Sequence, residues 1–170
     1  MSEWTVNSGA GGAVSAEPWH ELYRYWLSKH VDGRPPARGD LDPVIDVPRL
    51  VANLMILEVV SDGYEYRLVG SEVVLLTGAD LTNKRAGSDV RFSAIQNEWM
   101  AALEFVKDRQ TPRLLFSILG TEPAATNTVL LLPLSAAAGE NMKILGALFR
   151  QGAFDPKLMA DNLSVREIPA

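Results

Sequence analysis

YEYRLVGSEVVLLTGADLTNK, residues 64–84, decides how this chain is read. It opens on alternation: Tyr64, Tyr66 and Leu68 share one face, Glu65 and Arg67 the other, which is the period of a strand. Gly70 then breaks the strand into SEVVLLTG, one or two helical turns that Gly78 stops. A strand followed by a short helix could cradle a phosphate or present a nucleophile. Neither pattern is present. The chain has no G-x-x-x-x-G-K-[ST] and no G-x-G-x-x-G, and Ser71 lacks the G-x-S-x-G setting. What remains is a wall, strand and short helices enclosing part of a small domain.

Working outward, LMILEVV (residues 54–60) precedes this stretch, and Ser61, Asp62 and Gly63 supply a turn whose Asp-Gly pair favours a hairpin. Downstream, a helix is expected over residues 93–109. Its stripe is Ile95, Trp99, Ala102, Leu103 and Val106, and Pro112 marks its end. Three strands follow: RLLFSIL (113–119), NTVLLLPLS (127–135) and MKILGALFR (142–150). Upstream, residues 17–30 predict an amphipathic helix with Trp19, Leu22, Tyr23, Trp26 and Leu27 on one stripe. That stripe either caps the domain's own core or forms a dimer interface, and the pattern does not choose between them.

A Pro-rich connector spans residues 31–43, and a short helix over residues 48–53 has Asp46 placed to cap it. Four segments result: a Gly/Ala/Ser-rich flexible leader over 1–15, N-terminal helices and connector over 16–53, a core over 54–152, and a tail over 153–170 with a short helix around 156–162. Two hairpin strands first and three strands last lack the alternation a parallel sheet requires. The expected class is α+β: a five-stranded antiparallel sheet with helices packed on one face and an additional N-terminal amphipathic helix.

Composition narrows function mainly by exclusion. Hydrophobic residues make up 47% and charged residues 22%, as in ordinary globular domains. A net charge of −5 without a Lys/Arg cluster argues against nucleic acid or an anionic membrane as partner. No run is long and apolar enough to span a bilayer, and the N-terminus lacks a secretory pattern, so a cytoplasmic location is expected. With no cysteine there is no thiolate nucleophile and no cysteinyl-flavin adduct. His20 and His30 are the only histidines, ten residues apart on the first helix, where they suit neither a metal pair nor a catalytic triad.

The order of elements, together with LYRYWLSKHVDGRPPARGDLDP (22–43), LMILEVVSDGYEYRLVGSEV (54–73), TGADLTNKR (77–85) and LLLPLS (130–135) before ILGALF (144–149), resembles PAS domains. Within them it is similar to a stand-alone family typical of alphaproteobacteria. That family's recurring features are a Tyr/Trp helix, "P.R.DIDP", "YRLVGT", "G.DLTGK" and "LPLS". Ser71 stands where Thr is usual and Asn83 where Gly is usual; Asn also visits the left-handed region.

The resemblance implies a non-catalytic sensory or regulatory module that binds a small molecule in its cavity and signals through protein–protein contacts. Haem-binding relatives commonly use a histidine on or near the long helix, and residues 93–109 have none, so haem is not expected; the cofactor is otherwise unknown. Cavity candidates are Tyr66, Leu68, Leu76 and Thr77 on the quoted stretch, Trp99 and Leu103 on the long helix, and Phe116, Leu131 and Leu145 on the last strands; Ser117 is a further polar candidate. Trp19, Leu22, Tyr23 and Trp26 are candidates for a homodimer interface. An unidentified signalling protein is the expected partner, because only about twenty residues follow Arg150. The competing reading is a small enzyme with an enclosed apolar pocket acting on a small hydrophobic acid. It needs a buried acid or base, which the inward strand positions do not offer.

Overall fold

The computed structural model describes residues 17–121, 124–152, 155 and 157–168; the leader expected over 1–15 lies outside them. Six strands form one antiparallel sheet: β1 (Leu54–Val60), β2 (Gly63–Val69), β3 (Arg113–Leu119), β4 (Ala125–Leu134), β5 (Lys143–Gln151) and β6 (Ser164–Arg166), in the order β2-β1-β5-β4-β3-β6. Five are the strands expected from the sequence. The sixth is three residues long, lies in the segment read from the sequence as a tail, and pairs with β3. Over residues 156–162 the described residues form no helix.

Both faces of this sheet are covered. One carries α3 (Ser71–Thr77) and α4 (Gln96–Arg109), packed on Leu57, Leu115, Leu131 and Ile144. The opposite face carries α1 (Pro18–Ser28) and the connector, packed on Ile56, Leu130, Leu132 and Leu145. The N-terminal helix therefore caps its own domain. Its buried residues are Trp19, Leu22, Tyr25 and Trp26, while Leu27 is exposed and Tyr23 half-buried. Tyr25 replaces Leu27 on the stripe because the connector closes over that side, and its hydroxyl accepts from the Asp42 N–H at 2.8 Å.

Two motifs work here as fasteners. In Leu132-Pro133-Leu134-Ser135 the leucines enter the core under α1, and the Pro133 carbonyl accepts from the Trp26 indole N–H at 2.9 Å. Proline is tolerated at this point because the β3 ladder ends at Leu131. Ser135 donates through its hydroxyl to the Pro35 carbonyl at 2.5 Å and through its N–H to Pro36 at 2.9 Å. In the connector, Asp40 accepts from the Ala37 N–H, and Asp42 caps α2 (Pro43–Asp46). Asp46, expected to cap residues 48–53, pairs instead with Lys29 at 2.9 Å, and the 3₁₀ turn Pro48–Asn53 has no side-chain cap.

Around the quoted stretch, Gly78 ends α3 at φ +73°, the left-handed conformation that glycine adopts without penalty. Gly70 has a different reason to be glycine. Its φ is −69°, but a Cβ there would lie 2.3 Å from the Ala52 carbonyl oxygen. It is a close backbone approach, where a turn-former had been expected. Asn83 takes φ +62° and sends its N–H to the Tyr66 carbonyl at 2.7 Å, while the Tyr66 N–H reaches Lys84 at 3.0 Å. Residues 83–86 thus cover the outer edge of β2, and β6 covers that of β3, so both edges find backbone partners.

Candidate ligand cavity

Between the sheet and its α3/α4 layer lies a cavity of about 110 Å³. Met55, Val73, Leu76, Val129 and Leu148 form much of its apolar wall, with Phe92, Ile95 and Trp99 across from the sheet. Leu158, Met159, Ala160 and Leu163 line a further side. These come from the segment between β5 and β6, so pairing of β6 with β3 holds one wall in place.

The polar groups on the wall differ in how they are engaged. The Thr77 hydroxyl donates to the Val73 carbonyl at 2.7 Å, within its own helix. Tyr66 is buried beside Trp99; burial pushes its hydroxyl well above the usual phenol range, and the Trp99 indole opposes that shift. Asp89 is bound to Arg91, whose guanidinium and N–H hold its carboxyl at about 2. Arg91 also donates to the Gly78 carbonyl at 3.1 Å, tying this corner to the end of α3. Arg85 faces Asp62 at 2.8 Å.

A second polar group lies on the sheet itself. Ser117, Asn127 and Arg150 occupy opposed positions on β3, β4 and β5, forming a row across three strands. Arg150 Nε donates to Asn127 Oδ1 at 2.9 Å, and its Nη2 lies 3.4 Å from the Leu76 and Leu158 carbonyls. Arg150 Nη1 and the Ser117 hydroxyl are both buried and have no hydrogen-bond partner among the described residues. Burial pushes the Arg150 guanidinium below its ordinary range, and Asp155 acts through space in the other direction.

Of the residues expected to line a cavity, the structure places Tyr66, Leu76, Thr77, Trp99 and Ser117 on this wall. Leu103 and Leu131 belong to the same core layer but are packed solid beside the cavity. Three others face elsewhere. Leu68 is 42% exposed because a bulge between Ile56 and Leu57 sets Leu68 opposite Ile56, after Tyr66 has faced Leu57. The extra residue, Arg67, breaks the alternation, and Val69 is the next to turn inward. Arg67 itself stays outside and pairs with Glu58 and Glu65. Leu145 lies under α1, and Phe116 carries the Arg166 guanidinium on its ring at 3.4 Å.

The structure also places the four dimer candidates. Trp19, Leu22 and Trp26 are spent on the chain's own core, leaving only Tyr23 part-exposed. His20 and His30 pack on Trp19 and Trp26, on the side of the sheet away from the cavity. Asn127 and Arg150 were missed. The signal that could have found them is a polar residue two positions from the inward-facing Val129 and Leu148.

Among the described residues no group of three or more His, Cys, Asp or Glu could hold a metal, and no helix is long and apolar enough to cross a membrane. The sequence model of the PAS domain family matches residues 14–149. No curated protein sequence matches the chain.

Proposed function

This chain belongs to the PAS domain family, whose members serve generally as sensory and regulatory modules, and from that premise we propose that it binds a small molecule in the cavity and signals by contact with another protein. One observation carries the reading: the cavity is lined by three separate parts of the chain, the sheet, the α3/α4 layer and the 158–163 segment. A ligand that fills it touches all three. The last is held by a strand of three residues, the weakest attachment in the sheet. Occupancy therefore favours the arrangement in which the segment is seated, and the surface around β3 and β6 is where a partner would sense it.

Native mass spectrometry of freshly purified protein, compared with its denatured mass, tests this. A non-covalent mass excess lost on denaturation is the expected result. No excess, together with no effect of small organic probes on thermal unfolding, would count against a ligand site and leave a module that works through its surfaces alone.

A further inference from the structure

We propose that the cavity takes a compact monocarboxylic acid, its carboxylate held by the Ser117–Asn127–Arg150 row and its apolar body against Met55, Val73 and Trp99. This rests on the reading of the cavity as a ligand site and names the class of ligand.

The first argument is the sign and supply of hydrogen bonds. Ser117 is 1% exposed and Asn127 8%, so the row lies within the fold. Arg150 Nη1 can only donate, and it has no acceptor among the described residues. The Ser117 hydroxyl, at the far end of the row beyond Asn127, is also unpartnered. Asn127 turns its oxygen to Arg150, which leaves its NH₂ as a further donor. The row is rich in donors. Buried polar groups are almost always satisfied, and each unsatisfied one asks for a partner. A carboxylate is the matching group: it accepts only and carries the charge opposite to Arg150, whose one uncommitted nitrogen is Nη1.

The second argument is that the other polar groups on the wall are committed. Thr77 donates to the Val73 carbonyl, Asp89 is paired with Arg91 and Arg85 with Asp62, while Tyr66 sits against Trp99. No second free cation among the described residues lines the cavity, so a dianion such as a phosphate monoester would be under-neutralised. The third argument is size. A volume of about 110 Å³ is well below the ~300 Å³ of drug-sized sites and on the scale of the ~150 Å³ cavity that accepts benzene. A benzoate or a branched short-chain acid is the right class; a long-chain fatty acid is not.

The test is a matched pair of probes, 4-fluorobenzoate and 4-fluorobenzamide, titrated into the full chain and followed by ¹⁹F NMR. The pair differs in charge while nearly conserving shape. The acid should bind about tenfold to a hundredfold more tightly than the amide, the range expected for hydrogen bonds to a charged group. Arg150→Met should bring the two within about twofold of each other, and Ser117→Ala should weaken the acid alone. Equal binding of acid and amide to the wild-type protein would overturn the carboxylate assignment while leaving the ligand site standing. Binding of neither would overturn both, and that result needs no variant to fold.

Discussion

Replacing Trp26 tests whether α1 belongs to its own sheet. The indole is 3% exposed, and its N–H supplies the buried hydrogen bond to the Pro133 carbonyl, which lies past the end of the β3 ladder. Trp26→Phe keeps most of the apolar area but strands that carbonyl, at a cost of about 1–3 kcal/mol. Trp26→Ala also removes the ring from between α1 and β4, and the expected loss is about 3–5 kcal/mol. Against a total stability of roughly 5–15 kcal/mol this is large, and for a chain of this length it lowers the unfolding midpoint by about 6–20 °C. Thermal and urea unfolding measure the loss, and light scattering measures the mass in solution. The expected result is a graded destabilisation, phenylalanine less than alanine, at unchanged mass. A Trp26→Ala protein of nearly wild-type stability whose mass falls to half would refute the argument, because it would mean that the stripe pairs with a second copy.

The glycine and the bulge can be separated by a pair of variants: Gly70→Ala forces a Cβ against the Ala52 carbonyl and should cost about 3 kcal/mol, whereas Leu68→Thr, on the exposed side of the bulge, should change stability by less than about 0.5 kcal/mol. Acid titration of folding should show Asp89: its carboxyl is depressed to about 2 in the fold from an ordinary value near 3.8, so its contribution is present above that ordinary value and is lost as pH falls from about 4 towards 2. Asp89→Asn should flatten that part of the pH–stability curve, and an unchanged slope would exclude the Arg91 pairing as its source. Hydrogen exchange should find the amides of β6 opening well before those of β4 and β5, since β6 pairs along one side only over three residues; equal protection would contradict a loosely held wall.

Much of the fold was legible because local chemistry stated it. The Asp-Gly turn between β1 and β2, the Gly78 stop after α3 and the bounds of β3 followed from residues with a single physical use. The cavity was legible only in part, for two reasons. A bulge inserts one residue without any marker in YEYRLVG, so strict alternation carried Leu68 inward. Strands β4 and β5 are buried on both faces, so LLLPL and ILGALF read as continuous apolar runs and do not tell Leu145 from Ile144. The same ambiguity concealed Arg150, whose facing depends on the register of three strands at once. β6 was beyond reach for another reason: three exposed residues have no periodicity to read.

The sheet that separates α1 from the cavity is one peptide thick. Asn127 and Val129 border the cavity while Leu130 and Leu132 seat α1; Leu148 and Arg150 border it while Ala147 and Phe149 lie beneath the helix. Covalent neighbours thus belong to opposite compartments, and close-packed interiors pass strain on with little loss. A shift of β5 at Arg150 would move Phe149 with it, and the helix on the far side would meet the displacement one residue away. In this domain the backing of the cavity and the floor beneath its N-terminal helix are the same two strands.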